Sequence, residues 1–126
     1  MFEVGIVEQF EAAHRLRGDF GPATRPHGHT YRVELSVGGE KLSEDGTLVD
    51  IGALRAALGA VVKELDYQDL DGVASLAGRN TTAEVVARHV LEQVVGAVAR
   101  AGLTSIAVKV WESPTAFATC SRRLSQ

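Results

Sequence analysis

Residues 27 to 37 read His-Gly-His-Thr-Tyr-Arg-Val-Glu-Leu-Ser-Val, with His27, His29, Tyr31, Val33, Leu35 and Val37 on the odd positions and mostly polar side chains on the even ones. A period of two belongs to a β-strand, whose successive side chains point to opposite faces. A strand with one apolar face must lay it against a second layer, so this run demands a sheet with something packed on it. Upstream, Phe2, Val4, Ile6, Phe10 and Ala12 share one parity, and His14 follows on the same parity. That is a second half-buried strand. Between the two, residues 16 to 26 carry Gly18, Gly21, Pro22 and Pro26 and read as a loop.

The period then changes. Ile51, Leu54, Leu58, Val61, Val62 and Leu65 recur at helical spacing, which predicts an amphipathic helix over 51–65 with Asp50 as its N-cap. A polar stretch, 66–80, reads as a loop with room for a short helical turn. Thr81, Thr82, Ala83 and Glu84 open a second helix with a stripe of Val86, Val90, Val94, Ala97 and Val98, and Gly102 is expected at its C′ position. Thr104 to Glu112 reads as a strand with Ile106, Val108 and Val110 on one face, and Thr115 to Arg123 as a last strand. The order ββ-αα-ββ makes one α+β domain over residues 1–126, with two helices on one face of an antiparallel sheet. Such a small sheet leaves its edge strands unpaired, which oligomerisation would relieve.

The formal net charge of −3 and the lack of any long basic cluster argue against nucleic-acid binding. A lone cysteine, Cys120, excludes an internal disulfide and fits a reducing cytoplasm. The first residues lack a basic n-region, so they do not read as a signal peptide, and no apolar run is long enough for a membrane span.

Three histidines carry the chemistry. His27 and His29 lie two apart on a strand, so they share a face with Cα atoms about 6.5–7 Å apart. Two imidazoles at that spacing can place nitrogens about 2.0–2.1 Å from one zinc ion. If the two strands pair across the loop, His14 joins them. Three neutral imidazoles leave a fourth position open for water or substrate, as catalytic zinc sites do. The plainer alternative is three ordinary histidines beside a loop. His89, in the second helix, reads as a packing or surface residue. Gly28, between the ligands, should let other backbone approach closely.

The order of motifs resembles the 6-pyruvoyl tetrahydropterin synthase and 6-carboxytetrahydropterin synthase family. The likeness rests on Phe10-Glu-Ala-Ala-His14 followed by His27-Gly-His29-Thr-Tyr31, on Gly46 to Ile51, on Leu65 to Asp71, on Asn80 to Glu84, and on Lys109 to Ser113. It covers almost the whole chain. It implies a tunnelling fold, a zinc ion held by His14, His27 and His29, a pterin-like substrate, and homo-oligomers built on trimers, often hexamers, with sites between subunits. It also implies that Glu112 binds the pterin, with Thr82 and Glu84 near it. Independently of the family, Glu112 continues the apolar parity of Ile106, Val108 and Val110, and a buried carboxylate needs strong donors such as the N–H edge of an aminopyrimidinone. A solvated Glu112 beyond the strand end is the alternative. For Thr81 and Glu84 the alternative is a helix capping box.

Two positions depart from the family pattern. Ala23 stands where the synthases have a base, a cysteine before His-Gly-His, and Tyr67 stands where they have the histidine of an Asp-His pair; Asp66 is kept. Asp66 and Tyr67 become the candidate proton-transfer groups, and Arg25 and Asp19 lie in the loop beside the metal ligands, within reach of substrate, with Arg25 a candidate substrate-binding residue. Cys120 is a weak candidate for a replacement base. The expectation is a zinc-dependent lyase or cyclase of this family with altered chemistry on a dihydropterin-like or other small polyhydroxylated substrate. Standard synthase activity on 7,8-dihydroneopterin triphosphate, or a non-catalytic pterin-binding subunit, are the alternatives.

Overall fold

The computed structural model describes residues 1–124. Its elements are β1 (Phe2–His14), β2 (His27–Gly39), α1 (Ile51–Leu65), β3 (Gln68–Asp69), α2 (Ala83–Val98), β4 (Leu103–Ser113) and β5 (Ala116–Arg123). The five strands lie in one sheet in the order β3-β1-β2-β4-β5. The long strands pair antiparallel, as expected, but the two-residue β3 runs parallel to β1, so the sheet is mixed. Sequence periodicity could not reveal β3, since two residues carry no period.

The alternation read in the sequence becomes the core. Tyr31, Val33, Leu35 and Val37 of β2, with Ile106, Val108 and Val110 of β4 and Ile6 and Phe10 of β1, are buried against α1 and α2. Phe2, expected on the buried face, is instead 46% exposed, because it starts the strand at the margin of the helical layer. Helix α1 lies over β1 and α2 over β4 and β5. Leu54, Leu58 and Leu65 supply the first helix's buried stripe, and Val86, Val90, Val94 and Val98 the second's. The first helix has the predicted bounds, and the Asp50 carboxylate accepts the Gly52 N–H at 2.9 Å as its cap.

Helix α2 differs at both ends from the sequence reading. Thr82, not Thr81, is the N-cap, its hydroxyl accepting the Val85 N–H at 3.2 Å. No capping box forms between Thr81 and Glu84, because the Thr81 hydroxyl is bonded elsewhere. At the other end the helix stops at Val98 with an extended cap at Ala99, so Gly102 is not its C′ residue. Gly102 instead turns the chain into β4 with φ of 94°. Its carbonyl passes so close to Gly39 that a Cβ there would come within 2.8 Å of it.

The 66–80 segment contains two short 3-10 turns, Leu70–Gly72 and Ala74–Leu76. It runs along the end of β1 and bonds to it repeatedly. That lacing sets the geometry of the site.

Candidate metal centre and adjoining pocket

The β1–β2 register places His14 directly opposite His27 and Ala12 opposite His29. The three imidazoles therefore emerge on one face, the face covered by the helices. Their ring centroids lie 4.6 Å (His14–His27), 5.1 Å (His14–His29) and 4.8 Å (His27–His29) apart, all edge-to-face. One nitrogen from each lies within 4.8 Å of the others. Nitrogens bound to one tetrahedral zinc ion would be about 3.3 Å apart, so small ring movements would close the set.

Hydrogen bonds fix which nitrogen of two rings faces inward. The Nδ1 of His14 is 2.7 Å from the Thr81 carbonyl and that of His27 is 2.8 Å from the Arg25 carbonyl. A carbonyl only accepts, so each Nδ1 must carry the proton, and each Nε2 is left for other use. The Nε2 atoms of His14 and His29 are buried and find no hydrogen-bond partner among the described residues. Buried polar atoms are normally paired, so two unpaired imidazole nitrogens within one cluster fit residues able to hold a cation. Burial holds the His29 pKa below the ordinary value; the Glu112 charge raises it, and His14 and His27 lower it. Neutral imidazole is the form that binds a metal.

Beside the cluster, Thr82, Ala83, Glu84 and Glu112 line a cavity of about 490 Å³ together with Leu16 and Phe20 of the β1–β2 loop and residues 116–119 of β5. Glu112 keeps the parity of Val110 and is half-buried, so it is neither fully solvated nor sealed in. Three of the residues that family resemblance assigned to substrate thus share one pocket. Tyr31, fully buried and stacked on Phe10 at 4.8 Å, lies 5.4 Å from the His29 ring. Its hydroxyl is another buried atom with no partner among the described residues. Burial, then the charges of Glu112 and Asp71, push its pKa well above the ordinary value.

The remaining sequence candidates lie elsewhere. Arg25 contributes its carbonyl to His27 and does not line the Glu112 pocket. Asp66 accepts the Glu11 N–H at 2.9 Å, and the Tyr67 N–H donates to the Glu11 carbonyl at 2.6 Å. Tyr67 is 82% exposed, in the left-handed region with φ of 58°. Both belong to the β3 edge of the sheet, where Tyr67, Gln68 and Asp69 border a second cavity, of about 520 Å³, with Glu11, Gly28 and Thr30. Of the three histidines, His29 alone borders it. Gly28 permits this opening rather than a close backbone approach: a Cβ there would meet the Ala12 carbonyl at an ordinary 3.7 Å. Ala23 accepts the Leu16 N–H through its carbonyl at 2.8 Å. Cys120 packs against the core and lines neither cavity. His89 is buried, with Nε2 3.5 Å from a Glu64 carboxylate oxygen, which settles it as an interior residue of the helical layer. Sequence reasoning missed Asp71, the separate role of Thr81, and the walls Leu16 and Phe20. The loop pair had only its hydrophobicity as a signal.

Comparison with known proteins agrees with this fold. The family model described as 6-pyruvoyl tetrahydropterin synthase matches residues 3–123. The chain is 31% identical to the 6-carboxy-5,6,7,8-tetrahydropterin synthase of Bacillus subtilis, across 92% of this chain and 82% of that one. It is 32% identical to the dihydroneopterin monophosphate aldolase of Pyrococcus furiosus, across 68% of each chain. The solved 6-pyruvoyl tetrahydropterin synthase of Caenorhabditis elegans superposes with a TM-score of 0.83 over 96% of this chain and 95% of that one, at 24% identity, and so shares the fold. The match along nearly the whole length places the chain in the 6-pyruvoyl tetrahydropterin synthase family of pterin-biosynthetic enzymes.

Proposed function

We propose that this chain is a zinc-dependent lyase or cyclase acting on a dihydropterin-like or other small polyhydroxylated molecule, with His14, His27 and His29 as metal ligands. The observation that carries the reading is the convergence of three imidazoles, two of them with Nδ1 anchored on backbone carbonyls, beside the pocket that Glu112 borders. A zinc ion bound there would polarise a substrate oxygen or lower the pKa of a bound water. Glu112 would accept the two neighbouring N–H groups of an aminopyrimidinone, a charge-assisted bidentate pair that also orients the ring. Phe20 offers an apolar wall to such a ring, and Thr82 and Glu84 border the pocket at the start of α2.

Ala23 supplies no proton-transfer group, which supports a changed reaction. Asp66 and Tyr67 are the proposed acid/base groups. Tyr67 points outward from the sheet edge, so in this reading the pair serves the site of an adjoining protomer in a trimer-based homo-oligomer. Likeness to both a synthase and an aldolase fits a family in which the reaction on the side chain varies.

The test is metal analysis of the purified protein, followed by product analysis after incubation with dihydropterins bearing different side chains. Turnover should require zinc and vanish in His29→Ala; full activity of the metal-free protein refutes the reading. A second reading, standard synthase activity on 7,8-dihydroneopterin triphosphate, is favoured by the 31% identity across most of the Bacillus subtilis enzyme. It requires the standard product from that substrate, and no turnover of it eliminates this alternative.

A further inference from the structure

We infer that Asp71 is a positioning residue for the metal centre, acting on His14 through the Thr81 hydroxyl and through the backbone of Arg15. The inference rests on the metal-binding reading above.

The contacts run in sequence. The Thr81 hydroxyl donates to Asp71 Oδ1 at 2.9 Å, and the Arg15 N–H donates to Asp71 Oδ2 at 2.9 Å. One carboxylate therefore holds both the residue that follows His14 and the residue that faces its ring. Thr81 is fully buried and His14 is 2% exposed, so water cannot substitute at the Thr81–His14 contact, while the Asp71–Arg15 bond lies at the surface. Next along the chain, the Asn80 side chain grips Arg17 on both its N–H, at 2.9 Å, and its carbonyl, at 3.0 Å. The end of β1 cannot shift without breaking this lacing.

The same contacts decide where the His14 proton sits. Two atoms face Nδ1: the Thr81 carbonyl at 2.7 Å and the Thr81 hydroxyl oxygen at 3.3 Å. A carbonyl can only accept. A hydroxyl has one proton, and here it goes to Asp71, so its oxygen can only accept from the ring. Both neighbours of Nδ1 are acceptors, Nδ1 keeps its proton, and the lone pair lies on Nε2 toward His27 and His29. Without Asp71 the Thr81 carbonyl still keeps the proton on Nδ1, but the Thr81 hydroxyl and the Arg15 backbone lose their shared anchor, and the ring loses its fixed orientation toward His27 and His29. The Asn80-Thr81-Thr82 step thus divides labour: Asn80 clamps the loop, Thr81 faces the ligand, and Thr82 caps α2.

The test measures Zn²⁺ affinity by chelator competition and the visible spectrum of Co²⁺-loaded protein for wild type, Asp71→Asn, Thr81→Val and Thr81→Ser. Thr81→Val removes the hydroxyl but keeps the carbonyl and the Asp71–Arg15 bond, so it remains informative if Asp71→Asn does not fold. Asp71→Asn and Thr81→Val should each weaken Zn²⁺ binding about 10- to 100-fold and alter the Co²⁺ bands, while Thr81→Ser restores both to near wild type. Thermal unfolding of each metal-free protein separates a ligand effect from a folding effect. If Asp71→Asn and Thr81→Val lower that melting temperature yet bind Zn²⁺ as wild type does, the inference is overturned and the metal reading stands. Weakening in Asp71→Asn alone overturns the hydroxyl route. A wild-type protein that binds neither ion ends the metal reading, and this inference with it.

Discussion

The two ends of the 66–82 segment meet β1 in different ways. At its start, Asp66 and Tyr67 bond to the backbone of Glu11 on the sheet edge, and the Tyr67 ring stands in solvent. At its end, Asp71, Asn80 and Thr81 bond to Arg15, Arg17 and His14, and Thr81 is fully buried. Both ends lie within family motifs, and only the later part contacts one of the three clustered histidines of its own chain, through the buried Thr81. Burial at the Thr81–His14 contact excludes competing water and makes those hydrogen bonds directional and costly to lose, whereas the Asp71–Arg15 and Asn80–Arg17 bonds lie at the surface. An exposed side chain has no such constraint, so its contribution depends on a surface brought to it. Proximity in sequence to a motif therefore says less about a residue's role than the face from which it bonds.

The largest effect expected is at the inner end. His29→Ala should eliminate stoichiometric zinc and reduce turnover roughly a thousandfold or more, since a Lewis acid's contribution is several kcal/mol. Metal analysis alongside initial rates checks this. Tyr67→Phe should leave zinc content unchanged. If it depletes zinc as His29→Ala does, the contrast between the two ends is broken.

Glu112→Gln ranks next. It keeps the shape of the side chain and removes the charge that strengthens a bidentate pair. Hydrogen bonds to charged groups contribute about 1.5–3 kcal/mol, so ligand binding should weaken roughly 10- to 150-fold. Calorimetric titration with a dihydropterin reads it, and the same experiment on Asp66→Asn should give a smaller change. Equal losses would mean that the edge and the pocket act as one surface.

Much of this contrast was legible in the sequence. The strict alternation through 27–37 gave β2, its buried face and the shared face of His27 and His29, because a period of two leaves no other arrangement. His14 followed from parity, once pairing across the loop was assumed. The cap at Asp50 and the bounds of α1 came from spacing and N-cap chemistry. The lacing of 66–82 along β1 was not legible, because it is made of side chain-to-backbone bonds between residues 55 to 67 positions apart, which no local pattern records. For the same reason Thr81 and Glu84 looked like a capping box: sequence gives the spacing but not the competing acceptor at Asp71. Asp66 and Tyr67 were chosen by motif alignment, which carries no information on exposure.

Asp66→Ala sharpens the comparison from the outer side. It removes an acceptor from the Glu11 N–H on an exposed edge, at a cost of about 1 kcal/mol in folding stability. Urea unfolding of the metal-free chain measures that loss. Zinc affinity should stay at the wild-type level, whereas Asp71→Asn lowers it. A fall in zinc affinity for Asp66→Ala would show that the edge transmits its geometry along β1 to His14.

The smallest effect concerns Tyr31, and its sign is the informative part. The ring is fully buried and stacked on Phe10, so its apolar contacts survive in Tyr31→Phe. The hydroxyl is buried with no partner among the described residues, near the charges of Glu112 and Asp71. Removing a polar group that has lost its water and gained nothing should be neutral or stabilise the metal-free chain by up to about 1 kcal/mol. Urea midpoints of wild type and variant decide it. If the variant is instead destabilised by more than that amount, the hydroxyl has a partner in the free protein, and the inner region is more self-contained than its orphaned atoms imply. If stability rises while ligand binding weakens, the hydroxyl is held ready for a ligand, as the reading above has it for the imidazole nitrogens.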